Sequence, residues 1–73
     1  MPQTIYINRE PVELYKILKF EGLVATGGEA KMVIAEGLVS LNGQIETQKR
    51  KKIVNGDQLE FNQNVFSIVL ETS

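Results

Sequence analysis

The stretch GGEAKMVIAEGLVSLNGQIETQKRKKIVNGD (residues 27–57) contains the change of pattern that decides the fold. In its first part, Ala30 and Ile34 belong to an apolar stripe with helical spacing. After Gly37 apolar and polar residues alternate, as in a strand with one buried face, and Asn42-Gly43 is the dipeptide that favours a type I′ hairpin turn. The stretch therefore predicts a helix, then a tight β-hairpin, then a cationic segment.

The start of this helix is marked just upstream by Thr26 and Glu29, which form a T-x-x-E capping box. In such a box the hydroxyl accepts a hydrogen bond from the N–H of Glu29, and the carboxylate reaches back to the N–H of Thr26. Gly37 stands where a left-handed residue ends a helix without a Cβ clash. We predict a helix of about three turns between these signals.

Residues 12–20 predict another helix before it. Leu14, Ile17 and Leu18 follow the i, i+3, i+4 spacing of one buried face, and Pro11 is a residue type favoured in a first helical turn. Gly22 is expected to end this helix. The β-prone residues 4–7 predict a short strand at the N-terminal side.

The remainder of the chain is a series of short β-prone runs separated by turns. Strands are predicted at residues 53–54, 59–61 and 65–70, with turns at residues 55–57 and 62–64. Two helices on one side of a small sheet are the simplest compact arrangement. The predicted fold class is α+β: a short N-terminal strand, two packed helices and a largely antiparallel β-meander, in a single domain spanning residues 1–73.

The aromatic residues lie on these apolar stripes and strands. They are therefore predicted to belong to the core and not to a platform on which bases stack. The five residues are Tyr6, Tyr15, Phe20, Phe61 and Phe66.

The composition argues against several classes of protein. The 73 residues contain no His and no Cys, so the usual general base, the strong thiolate nucleophile and the disulfide are all missing. A G-x-x-x-x-G-K phosphate loop is also missing, and we predict no cofactor and no metal site. The first residues lack the pattern of a secretory signal, and no segment is apolar for long enough to span a membrane. We expect a non-enzymatic, cytoplasmic protein.

The cationic segment concentrates charge in a chain whose formal net charge is −1. Lys49, Arg50, Lys51 and Lys52 form an unbroken row that holds half of the eight Lys and Arg residues. Such a row can neutralise nucleic-acid phosphates because its field is local, or it can be an ordinary solvated loop. In a strand, Lys49 and Lys51 would face one side and Arg50 and Lys52 the other.

Residues 11–61 resemble the S-four-type RNA-binding domain, which is built on the αL motif. The chain is most similar to the small stand-alone bacterial YbcJ-like proteins. Their pattern of E-G, then G-x-x-A-K, then E-G-x-V-x-x-x-G-x-x-E-T-x-K-R is met between Glu21 and Arg50. One position departs from the family, since many larger relatives have Ser-Arg where this chain has Thr26-Gly27.

The resemblance implies a module that docks on structured RNA through a basic face of the αL motif, mainly by phosphate contacts. Lys31 of the second helix is expected on the same face as the cationic row. The helix start at residues 26–28 is either a plain capping box or an additional phosphate contact. The expected RNA-binding residues are Lys19, Lys31, Lys49, Arg50, Lys51 and Lys52, with Thr26, Gly27 and Gly28 at the helix start.

The expected partner is a structured RNA, with ribosomal and ribosome-associated RNA included. We expect a monomer with no membrane contact and no small-molecule substrate. The alternative is a small adaptor that uses the same cations to bind an acidic surface of a partner protein. Nucleic acid that co-purifies with the protein would favour the first hypothesis.

Overall fold

The computed structural model describes residues 3–71, which contain two helices and seven strands. The helices are α1 (Leu14–Phe20) and α2 (Gly27–Ala35). The strands are β1 (Gln3–Ile7), β2 (Val12–Glu13), β3 (Val39–Leu41), β4 (Gln44–Ile45), β5 (Lys52–Ile53), β6 (Gln58–Phe61) and β7 (Asn64–Leu70). The predicted α+β class is confirmed.

Five of the strands form one sheet in the order β1-β7-β6-β3-β4. The neighbours β7-β6, β6-β3 and β3-β4 pair antiparallel. β1 lies parallel to β7, with Ile5 opposite Ile68. The sheet is therefore largely antiparallel, as predicted, with one parallel pair at its edge.

A single hydrophobic core joins this sheet to the helices. Both helices bury the apolar stripe that their spacing predicts, and burial of one such aliphatic side chain contributes roughly 1.5–3 kcal/mol. The stripes are Leu14, Ile17 and Leu18 on α1 and Ala30, Val33 and Ile34 on α2. In residues 3–71 neither helix has the length or the apolar content to cross a membrane.

The first helix begins later than the sequence predicts. Pro11 lies outside it, because residues 12–13 form β2 and pair antiparallel with β5, placing Val12 opposite Ile53 and Glu13 opposite Lys52. The prediction that Ile53 belongs to the β-meander is wrong for the same reason. β2 and β5 form a separate two-stranded sheet, and this non-local pairing leaves no local signal in the sequence.

The hairpin turn between β3 and β4 is the predicted one. Asn42 has a φ of 53° and Gly43 a φ of 84°, and both central residues of a type I′ turn require positive values. The Asn42 side chain also reaches the turn that precedes β6. Its Nδ2 donates to Oδ1 of Asp57 at 3.1 Å, and its Oδ1 accepts from the N–H of Gln58 at 2.8 Å. These bonds tie the two turns together.

Two of the aromatic residues predicted for the core lie on the surface instead. Tyr6 is 60% exposed because it alternates with the buried Ile5 and Ile7 along β1. Phe20 is 70% exposed because it is the last residue of α1, where the helix leaves the core. The other three aromatics are buried or pack against the core, as predicted: Tyr15, Phe61 and Phe66.

Candidate nucleic-acid interface

The start of α2 is the capping box that the sequence predicts. Thr26 Oγ1 accepts a hydrogen bond from the N–H of Glu29 at 3.1 Å. The Glu29 carboxylate accepts from the N–H of Ala25 at 2.7 Å, one residue before the predicted donor. The helix start is therefore capped by side chains of its own segment.

The start of α1 is held by the cationic segment. Glu13 occupies the N-cap position but makes no side-chain cap bond. Instead, the N–H of Leu14 donates to the carbonyl of Lys51 at 2.9 Å, and the N–H of Tyr15 donates to the carbonyl of Lys49 at 3.2 Å. These two bonds fix the backbone of the cationic row against the first turn of α1.

Most of the cationic row is a turn and not a strand. Lys49 and Arg50 lie in a turn that is closed by a hydrogen bond from the N–H of Lys51 to the carbonyl of Gln48 at 3.1 Å. Only Lys52 belongs to β5. The alternation of sides that a strand would impose on all four cations therefore does not apply. Lys51 is half-buried, and the other three cations are exposed.

Three cations from different parts of the chain surround Tyr15. Lys31 Nζ on α2 lies 4.8 Å from the centroid of the ring, Arg50 Cζ lies 5.8 Å from it, and Lys16 Nζ lies 6.0 Å from it. A cation within about 6 Å of an aromatic centroid is attracted by the quadrupole of the ring. Lys31 of α2 and Arg50 of the cationic row therefore lie beside the same ring. Sequence reasoning treated Tyr15 only as a core residue.

One acidic side chain lies among these cations. Glu13 Oε1 is 3.1 Å from Lys16 Nζ, and Glu13 Oε2 is 3.7 Å from Arg50 Nη1. Lys52 is the cross-strand partner of Glu13, and such partners project from the same face of a β-ribbon. Because exposed ion pairs are worth only about 0–1 kcal/mol, Glu13 orients the cations without locking them in place.

Lys19 extends the cationic surface along α1. It follows Tyr15 by one helical turn, and its Cδ would be 4.0 Å from a Cβ atom added at Gly27. Gly27 and Lys31 are likewise one turn apart on α2. We name as the basic face the three cations near the Tyr15 ring together with one neighbour on α1 and one on β5: Lys16, Lys31 and Arg50, with Lys19 and Lys52.

The remaining predicted site residues lie at the margin of the basic face. Lys49 is exposed in the turn beside Arg50, whereas the half-buried Lys51 presents less of its side chain to a ligand. Thr26, Gly27 and Gly28 lie at the start of α2 beside Lys19. Within residues 3–71, no three His, Cys, Asp or Glu side chains are grouped in a way that could hold a metal ion.

Helices α1 and α2 and the hairpin that follows them have the arrangement of an αL motif. Residues 5–69 match the S4 domain family, and the chain belongs to this family. The prediction that the chain is of the S-four type is therefore confirmed.

The chain is similar to YbcJ proteins of two bacteria. The chain is 46% identical over 59 residues to "Putative RNA-binding protein YbcJ" of Escherichia coli (strain K12), covering 80% of this chain and 84% of that protein. The same values hold for "Uncharacterized protein YbcJ" of Shigella flexneri. A solution structure of E. coli YbcJ, described as having an αL motif involved in RNA-binding, matches with a TM-score of 0.70 and 40% identity. That match covers 94% of this chain and 89% of the other.

Proposed function

We propose that this protein is a non-enzymatic module that docks on structured RNA with its basic face, mainly through phosphate contacts. The observation that carries the proposal is the convergence of Lys31 and Arg50 on the ring of Tyr15, because it joins α2 to the cationic row. The αL motif of E. coli YbcJ, described as involved in RNA-binding, supports the same assignment.

The basic face is suited to phosphate binding because the backbone that carries its cations is ordered before a ligand arrives. The carbonyls of Lys49 and Lys51, on either side of Arg50, are hydrogen-bonded to the start of α1, and Lys31 belongs to a second helix packed in the same core. A surface with an ordered backbone loses less conformational entropy on binding. The net charge of −1 does not oppose this, since charges more than about 8 Å away are largely screened at physiological salt.

The rigidity of this surface favours folded RNA over a flexible single strand. Two helices and a short turn display the cations at fixed spacing, and double-stranded RNA is recognised mostly by shape and by backbone contacts. Lysine and arginine contacts to phosphate carry little sequence information. Beside Lys19, the amides of Gly27 and Gly28 are proposed as a further phosphate contact at the start of α2.

A salt titration tests the proposal. If two to four phosphates are neutralised, the logarithm of the RNA affinity should fall with the logarithm of the salt concentration at a slope of roughly −1.5 to −3.5. Replacing Lys49 and Arg50 by Gln should flatten the slope by about one or two units and should weaken binding to unrelated RNA sequences alike. A structured hairpin RNA and an unrelated RNA duplex are the two ligands.

The matched control keeps the charge at the same positions. The double variant Lys49→Arg/Arg50→Lys should retain the slope of the wild type, since each position still carries one positive charge. Equal slopes for the wild type and the Gln variant, with both proteins folded, would show that the row is only a solvated segment. Absence of RNA binding, together with binding to an acidic protein surface, would support the adaptor hypothesis instead.

A further inference from the structure

A groove of about 630 Å³ runs along β1 and α1 next to the basic face. Its lining includes the two exposed aromatic residues, Tyr6 and Phe20, which are 60% and 70% exposed. Arg9 and Lys16 also line it. Exposed aromatic rings beside cations are the combination on which unstacked nucleobases are bound, with the base on the ring and the phosphate on the cation.

The groove and the basic face share Lys16. Its side chain lines the groove, and its Nζ lies 6.0 Å from the centroid of Tyr15 and 3.1 Å from Glu13. An RNA backbone held on the basic face therefore reaches the groove without leaving the cationic surface. Within residues 3–71, β1 is an edge strand of the sheet, so no further strand covers the side that faces away from β7.

We infer that this groove binds one unpaired nucleotide of the RNA that docks on the basic face. The inference rests on the proposed function and adds a second kind of contact to it. The base stacks against the aromatic side of the groove, at Phe20 and Tyr6. Arg9 and Lys16 pair with the phosphate of the same nucleotide.

Two acidic residues of the groove can contact the edge of a base. Glu21 and Glu71 line it together with the aromatic and basic residues. A carboxylate also accepts hydrogen bonds from the amino groups on the edges of cytosine, adenine and guanine. A nucleotide offers a flat base, donors on the base edge and a single phosphate, and so matches the aromatic, acidic and basic residues of the groove together.

The test compares two RNA hairpins that differ by a single unpaired residue. One hairpin carries a bulged 2-aminopurine, whose fluorescence is quenched by stacking, and the other has the same loop and a stem without the bulge. The wild type should bind the bulged hairpin more tightly and quench its fluorescence. Phe20→Leu should weaken binding to the bulged hairpin by about tenfold and remove the quenching, while affinity for the paired hairpin stays unchanged.

The control variant is Leu38→Ala, which removes an exposed apolar side chain that does not line the groove. It should leave the binding of both hairpins unchanged. Equal wild-type affinity for the two hairpins, or an equal loss for both in Phe20→Leu, would overturn the groove site while the proposed function stands. Failure of the wild type to bind either hairpin would refute the proposed function and the groove site with it.

Discussion

The two helices begin in opposite ways. α2 is capped within its own segment, where Thr26 Oγ1 accepts from the N–H of Glu29 at 3.1 Å. α1 is capped from a distant part of the chain, because its first two N–H groups donate to the carbonyls of Lys51 and Lys49. One helix start is thus encoded locally, and the other exists only when the chain is folded.

This difference couples the stability of α1 to the geometry of the basic face. A helix of seven residues is too short to be stable in water by itself, so α1 depends on its buried stripe and on the contacts of residues 49–53. The same hydrogen bonds that start α1 fix the backbone of the cationic row. The capping of α2 makes no such link to the row.

The largest loss of stability should come from disrupting the contact between β5 and β2. Ile53 is fully buried and lies opposite Val12. Ile53→Ala should lower the free energy of unfolding by about 2–5 kcal/mol, because it removes buried methyl groups and leaves a cavity. Denaturant unfolding followed by circular dichroism measures this loss. Ile34→Ala, at an equally buried position on α2, is the control for stability.

The milder substitutions Ile53→Val and Ile34→Val test whether the start of α1 depends specifically on β5. Each should cost only about 0.5–1.5 kcal/mol, which keeps the protein folded for hydrogen-exchange measurements. The amides of Leu14 and Tyr15 should exchange faster in Ile53→Val and not in Ile34→Val. Equal exchange rates in the two variants would show that the start of α1 does not depend on β5.

A smaller loss of stability is expected when the N-cap of α2 is removed. Thr26→Ala should cost about 1 kcal/mol because the N–H of Glu29 loses its acceptor. In a domain of this size the melting temperature should fall by roughly 4–8 °C. RNA affinity at low temperature should barely change, and Thr26→Ser should restore the stability. A large loss of affinity in a folded Thr26→Ala protein would mean that the threonine hydroxyl itself contacts RNA.

The smallest change in stability is expected at the N-cap of α1. Glu13 makes no side-chain cap bond and its ion pairs are partly exposed, so Glu13→Gln should alter the free energy of unfolding by less than about 1 kcal/mol. Removing a negative charge from among the cations should raise RNA affinity roughly two- to fivefold at low salt.

The matched control for this variant is Glu60→Gln, which makes the same change of charge at an exposed position of β6. It should leave RNA affinity unchanged. A loss of stability in Glu13→Gln as large as that of Thr26→Ala would contradict the comparison, because it would mean that Glu13 caps α1 after all.

The parts of the fold that sequence reasoning predicted are those with a local cause. Thr26 and Glu29 lie within one turn of each other, and Asn42-Gly43 needs only its own backbone angles. Gly37, with a φ of 77°, ends α2 for the same kind of reason. Each of these signals involves only a few neighbouring residues, so it does not depend on contacts with distant parts of the chain.

The errors arose where distant segments meet. Pro11 is followed by a strand and not by a helix because β2 pairs with β5, and nothing near Pro11 in the sequence indicates that pairing. Phe20 lies three residues after the buried Ile17, yet it is exposed because α1 ends there. A periodic pattern predicts which side of an element is apolar but not where the covering structure stops.

The candidate site likewise has a part that could be predicted from the sequence and a part that could not. The cationic row was visible in the sequence, whereas its arrangement around Tyr15 was not, because Lys31 and Arg50 reach the ring from separate segments. The ion pair of Glu13 with Arg50 could not be predicted for the same reason. Charge content can be counted from sequence, but the shape of a charged surface depends on tertiary packing.

The parallel pairing of β1 with β7 also has a consequence for the order of folding. Its register runs from Gln3↔Phe66 to Ile7↔Leu70, so β1 pairs with a strand that is synthesised about 60 residues later. During synthesis, the locally encoded cap of α2 and the β3–β4 turn can form before the partner of β1 is available. Pairing between distant segments slows folding because a long loop must be closed first. We therefore expect the sheet to be completed only after β7 has left the ribosome.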